Sequence, residues 1–142
     1  DITGKGTALC MNMAIKHSGI RPDDVDYINA HGTGTTHNDS IETTAIKRVF
    51  GQNAKNIPIS STKSMHGHTL GAAGAIETVA VIAAIQHHFI PPTINYKTPD
   101  PKCDLDYIPN KSRDITINTV FSNNFGFGGN NCSIIIKRTD EK

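Results

Sequence analysis

Two histidine-bearing stretches hold the side chains of this protein that could do chemistry. One is Lys63-Ser64-Met65-His66-Gly67-His68, a small polar loop that runs straight into the apolar stretch 70–85. The other is His31-Gly32-Thr33-Gly34-Thr35, which follows the strand-like run 25–30. Where the polar loop meets the apolar stretch, His68 falls in or beside the first turn of a helix. The unpaired N–H groups and positive dipole end of that turn disfavour a second positive charge. His68 is therefore expected as a neutral imidazole that can still donate one hydrogen bond. Glu77 is the only ionisable residue between His68 and His87. A carboxylate in so apolar a helix must find a cation or strong donors, and Lys63, just before the helix, is the candidate. The residues alone leave open whether Glu77 acts directly or only as the ion-pair partner of Lys63.

These groups need elements to aim them. Ala8, Leu9, Met11, Met13, Ala14 and Ile15 recur at helical spacing within 4–18, and Gly19 suits a left-handed C-cap. After the turn residues Arg21, Pro22, Asp23 and Asp24, the alternation in 25–30 predicts a short strand that delivers His31 at its end. Asp39 and Glu42 read as a capping box that opens a helix to about Phe50, closed by Gly51. Residues 57–60 predict a second strand, and 70–85 a helix packed on all sides. Strand, polar loop and helix thus occur twice, the pattern of a layered α/β domain whose functional loops gather at the strands' carboxyl ends. Both histidines are expected in one pocket. Residues 89–110, with Pro91, Pro92, Pro99, Pro101 and Pro109, predict an extended surface connection of structural role. Strands are expected at 117–121 and 132–137, joined by a loop over 122–131. Its glycines would let backbone approach a ligand while Phe125 and Phe127 supply apolar walls. The charged tail after Arg138 is expected to fray.

At 142 residues, 37% hydrophobic and 19% charged, the chain has room for one domain with a real core. A net charge of +1 from interspersed basic and acidic side chains argues against nucleic acid or an anionic membrane as the main partner. The longest apolar run contains Glu77 and Thr78 and is short for a membrane span, so the chain reads as soluble and intracellular. Cys10, Cys103 and Cys132 form no C-x-x-C pair and read as free thiols in a reducing compartment. A start at Asp1 without methionine suggests a fragment of something longer.

His31-Gly-Thr-Gly-Thr35 and Lys63-Ser-Met-His-Gly-His68, together with Gly71-Ala-Ala-Gly74 and Asn124-Phe-Gly-Phe-Gly-Gly129, resemble the C-terminal half of an elongating β-ketoacyl-ACP synthase. The resemblance covers nearly the whole of 1–142. It implies one half of a pseudo-duplicated, thiolase-like αβαβα fold, in which His31 is the first catalytic histidine and His68, not His66, the second. Decarboxylating a malonyl thioester puts charge on the thioester oxygen, and two neutral histidine N–H donors would stabilise it. Lys63 and Glu77 would fix the protonation and orientation of His68. Thr33 and Thr35 match threonines that bind the phosphopantetheine arm of an acyl carrier protein. Phe127 matches a gating ring beside the acyl pocket, with Phe125 and Gly128 on the same substrate-binding loop. Asn29, Glu77, Ser122 and Asn123 match positions that surround a monovalent cation in some relatives. The chain itself would need no cofactor, because the arm arrives on the carrier protein. The implied partners are that carrier, the enzyme's N-terminal half and, once complete, a second copy in a homodimer. The implied compartment is the cytoplasm, with a plastid left open.

Two departures are minor: Gly34 stands where many relatives have serine, and His66 where threonine is common. The larger one is the nucleophilic cysteine, which the family carries in its other half. Cys10, Cys103 and Cys132 all read as packing thiols, so the chain alone is expected to be inactive. Zinc is disfavoured, since no acidic or cysteine partner stands at supporting spacing from the histidines; His37, His87 and His88 read as surface residues. Gly126, Gly128 and Gly129 join two strands and do not open a helix, which argues against a nucleotide loop. A non-catalytic carrier-binding or chain-length-factor-like subunit, or half of a polyketide ketosynthase, is the alternative. Two histidines aimed into one pocket favour the enzyme.

Overall fold

A computed structural model describes residues 2–139. The tail beyond residue 139, expected to fray, lies outside the described residues. Helix α1 (Lys5–Ser18) ends as its sequence predicts, with Gly19 at φ 72° donating its N–H to Ile15. Strand β1 (Tyr27–Asn29) follows and leads to helix α2 (Asn38–Phe50). Strand β2 (Ile59–Ser60) then passes into the one-turn helix α3 (Lys63–His66). A 3-10 turn at Leu70–Ala72 enters helix α4 (Ala73–His87). The strands β3 (Phe89–Ile90) and β4 (Arg113–Asp114) pair with each other, and β5 (Thr119–Phe125) and β6 (Asn131–Lys137) form the closing hairpin.

The main sheet runs β2-β1-β5-β6. β1 is parallel to both neighbours, and only β6 is antiparallel. All three β1 residues are buried. The alternation expected of a half-exposed strand is lost because helices cover both faces, as parallel sheets require. On one face Ile28 and Phe121 pack with Met11, Ile15, Ile46 and Phe50 of α1 and α2. On the other, Tyr27 and Val120 pack with Val81, Ala84 and Ile85 of α4. The Asp26 carboxylate pins β5 beside β1 by accepting N–H bonds from Asn118 (2.8 Å) and Thr119 (2.9 Å).

Four expectations change. His37 at the N-cap of α2 makes no side-chain cap bond, the Thr35 hydroxyl accepts the Asn38 N–H at 3.2 Å instead, and the Asp39/Glu42 capping box is replaced by longer-range bonds. The stretch 70–85 is not packed on all sides: Leu70 is 75% and Val79 68% exposed, so α4 turns one apolar face to the sheet and leaves the other open. By length and composition Leu70–His87 would pass as a membrane span, with mean hydropathy 1.4; here it forms a layer against the sheet and buries Glu77, Val81, Ala84 and Ile85. β5 reaches Phe125, so Ser122, Asn123 and Asn124 belong to a strand and not to a loop. Finally, the proline-rich connection is more than a surface crossing, because Ile90 and Ile108 enter the core.

Candidate active site

His31 stands just past the end of β1 and is 6% exposed. Its own N–H and that of Gly32 both point to Glu42, whose two carboxylate oxygens accept them at 2.9 and 3.0 Å. Asn38 and Asn123 add amide N–H bonds to the same carboxylate, at 3.3 Å each. Glu42 therefore ties α2 and β5 to the turn that carries His31. Its burial pushes the carboxyl pKa up, and these four donors oppose that rise. Gly32 has φ 40°, and a Cβ there would lie 2.5 Å from that of Ser61. Only glycine fits. The Ser61 hydroxyl closes the gap by donating to the Gly32 carbonyl at 2.7 Å, which locks the His31 turn to the end of β2.

The His68 ring meets His31 edge-on, with centroids 5.5 Å apart. His68 Nδ1 accepts the Leu70 N–H at 3.2 Å, which leaves the ring proton on Nε2. The helix entrance thus acts through a specific N–H bond. His31 has its pKa lowered to about 4, first by burial and then by the charge of Lys63, while a hydrogen bond with Asn124 pulls the other way. Its Nδ1 is buried without a hydrogen-bond partner. The Phe125 ring flanks it at 5.7 Å.

Behind the histidines the Lys63 ammonium, 3% exposed, is ion-paired with the fully buried Glu77. Asn124 joins them: its amide donates to Glu77 Oε2 at 2.7 Å and its oxygen faces Lys63 Nζ at 3.4 Å. A pocket of about 590 Å³ opens in front, lined by Thr33, Thr35, Lys63 and His68 on one side and by residues 93–98 of the proline-rich connection on the other. The Thr33 and Thr35 hydroxyls are 3.1 Å apart there. His31 sits behind this wall, against His68.

The structure thus brings together His31, His68, Lys63, Glu77 and Phe125, with Thr33 and Thr35 at the mouth. It does not bring in Phe127 or Gly128, which form a 3-10 turn at the hairpin tip. The Phe127 ring is fully exposed, so in this chain it walls nothing. The cation neighbours are split as well. Ser122 and Asn123 are successive strand residues and face opposite sides of the sheet: Ser122 meets Asn29 at 3.2 Å, whereas Asn123 meets Glu42 and Ser133. Asn29 Oδ1 accepts from Thr62 (3.2 Å) and Tyr27 (3.4 Å), Asn123 Oδ1 accepts from Ser133 (2.8 Å), and Glu77 accepts from Lys63 and Asn124. These four side chains do not form one oxygen cage for an ion. The thiols are spread apart: Cys10 faces Ser133, Cys132 is exposed, and burial raises the pKa of Cys103. His37, His87 and His88 are exposed.

Sequence reasoning missed Glu42, Asn124 and the pocket wall at 93–98. For Glu42 a signal was present. It shares its helix face with Ala45 and Ile46, and a carboxylate on a buried face needs partners.

A layered α/β domain with two histidines converging at strand ends defines the class, and comparison sharpens it. The family described as beta-ketoacyl synthase, C-terminal domain, matches residues 1–97. The chain belongs to this family. It is 51% identical to 3-oxoacyl-[acyl-carrier-protein] synthase 2 of Coxiella burnetii over 97% of its own length and 33% of that protein. It is 50% identical to nodulation protein E of Rhizobium meliloti, over 94% of its length and 33% of that protein. Among solved structures it superposes with TM-score 0.95 at 47% identity on a type II polyketide ketosynthase complexed with its acyl-carrier protein, covering 99% of this chain and 34% of that one. The fold is that of the thiolase-like ketosynthases. The chain spans about a third of the length of the curated relatives it matches.

Proposed function

We propose that this domain supplies the two-histidine side of a decarboxylative condensing site, acting on malonyl thioesters of an acyl carrier protein in fatty acid elongation. The observation that carries the reading is the edge-on His31–His68 pair with the His68 proton directed to Nε2 by the Leu70 N–H. Breaking the bond to the malonyl carboxylate releases CO₂ and moves the electron pair into an enolate. N–H donors aimed at the enolate oxygen stabilise it most as its charge develops. The enolate carbon then attacks an acyl thioester held on a cysteine outside this chain and expels the thiolate. His31, neutral well below pH 7, is suited to bind the same oxygen. Lys63 and Glu77 hold the base of the site, Thr33 and Thr35 take the phosphopantetheine arm, and the chain itself contributes no cofactor. The chain is similar to nodulation and polyketide proteins as well, and fatty acid elongation is the use proposed for it.

The test uses the full-length protein. His68→Ala is expected to lower malonyl-ACP decarboxylation by about 10²- to 10³-fold, the usual loss for one preorganised donor, while acyl transfer from acyl-ACP to the protein persists. Decarboxylation at the parent rate would remove His68 from the chemistry.

A further inference from the structure

The buried carboxylate of Glu77 has two oxygens, and both find partners inside the chain. Oε1 takes the Lys63 ammonium and Oε2 takes the Asn124 amide at 2.7 Å. Asn124 Oδ1 faces the same ammonium at 3.4 Å, so side chains from α3, α4 and β5 close a ring of alternating donors and acceptors. A neutral amide is suited to that third place, because it offers a donor to the carboxylate and an acceptor to the ammonium at once. The amide also lies against the first turn of α4, where a Cβ on Gly74 would stand 3.8 Å from its nitrogen. A breach in such a ring would leave a charge buried and half-satisfied.

We propose that Asn124 is a positioning residue that closes the Lys63–Glu77 pair from within the chain, and that this site holds no monovalent cation. An ion beside Glu77 would have to share its two oxygens with the amide and the ammonium, and it would set a second positive charge against Lys63. The positioning effect on catalysis rests on the proposed function. The claim about the cation does not.

The experiment therefore has two arms on the full-length protein. In the first, the melting temperature is measured in potassium, sodium and tetramethylammonium chloride at equal ionic strength. The three values are expected to agree within about 1 °C, below the shift of several degrees that a specifically bound ion would cause. A value several degrees higher in potassium or sodium overturns the proposal. In the second, malonyl-ACP decarboxylation is compared for the parent, Asn124→Leu and Asn124→Ser. Leucine keeps the size and loses the bonds to Glu77, Lys63 and His31, whereas serine keeps one donor in case leucine prevents folding. Asn124→Leu is expected to lose on the order of 10- to 100-fold in kcat, with KM for malonyl-ACP nearly unchanged and Asn124→Ser in between. A kcat equal to the parent's in both variants overturns the positioning role. A parent that decarboxylates nothing would count against the proposed function, and the melting series would still decide the cation question.

Discussion

Neighbouring strands β1 and β5 each end in a glycine-bearing loop, and the two loops are held differently. The turn at His31 is bonded across the fold: Glu42 on α2 takes its two N–H groups, and Ser61 beyond β2 takes its carbonyl. The tip at 126–130 bonds to itself, Gly126 N–H to the Asn130 carbonyl at 2.9 Å and the Asn130 amide to the Phe127 carbonyl at 3.2 Å. Buried long-range partners hold a side chain in one place, whereas local bonds hold only the shape of a turn. The catalytic geometry proposed for this domain is thus built into the first loop. The tip presents its ring outward, where another segment would have to meet it.

The strongest way to break that contrast is to attack the buried pair behind the first loop. Lys63→Met strands the Glu77 carboxylate, and Glu77→Gln strands the Lys63 ammonium. Each is expected to lower stability by about 3 to 5 kcal/mol. The double variant should lose less than the sum, because no charge is then left without its partner. Urea unfolding of the four proteins checks this, and additive losses would mean that the two side chains act separately.

A smaller effect follows from His31. Its folded-state pKa of about 4 lies below the usual 6.5 of the unfolded chain. Between those values the unfolded state binds more protons, so stability rises with pH through the window and is lost as pH falls from 6.5 towards 4. At roughly 1.4 kcal/mol per pH unit the loss from this group is at most about 3 kcal/mol. Other groups titrate there too, so the measurement is the difference between the parent and His31→Gln in urea midpoints from pH 7 to pH 4.5. Parallel curves would show that His31 is not held neutral by its surroundings.

What was legible in the sequence had local causes. Helix α1 follows from the spacing of Ala8, Met11 and Ile15 and from Gly19, all within a few turns of one another. The Lys63–Glu77 pair was legible because a lone carboxylate in an apolar run needs a cation and one lysine stands nearby. Glu42 was misread because its spacing from Asp39 fits a cap equally well, while the N–H groups it binds lie ten and eleven residues earlier. Asn124 reaches a partner 47 residues away, and no local pattern announces it. β5 looked like a loop beyond Phe121 because Ser122, Asn123 and Asn124 are polar. Their side chains are satisfied by Asn29, Glu42 and Glu77 on other elements. The open face of α4 was hidden for the opposite reason: a helix apolar all round does not show which side its own chain covers.

The smallest expected effect lies at the tip and decides whether the contrast is real. Phe127 is fully exposed, so truncating it removes almost no buried area from this chain. Surface substitutions of that kind change stability by less than about 0.5 kcal/mol. Phe125→Ala, two residues back, takes away a half-buried ring that packs on His31 and on the core formed by Ile28 and Phe121, and should destabilise by about 1 to 3 kcal/mol. Circular dichroism in urea on the 142-residue chain compares the two. If Phe127→Ala shifts the midpoint as far as Phe125→Ala, the tip ring is packed in solution and the two loops are held alike. A flat response confines this chain's own stability to the histidine side and leaves the Phe127 ring free for a neighbour.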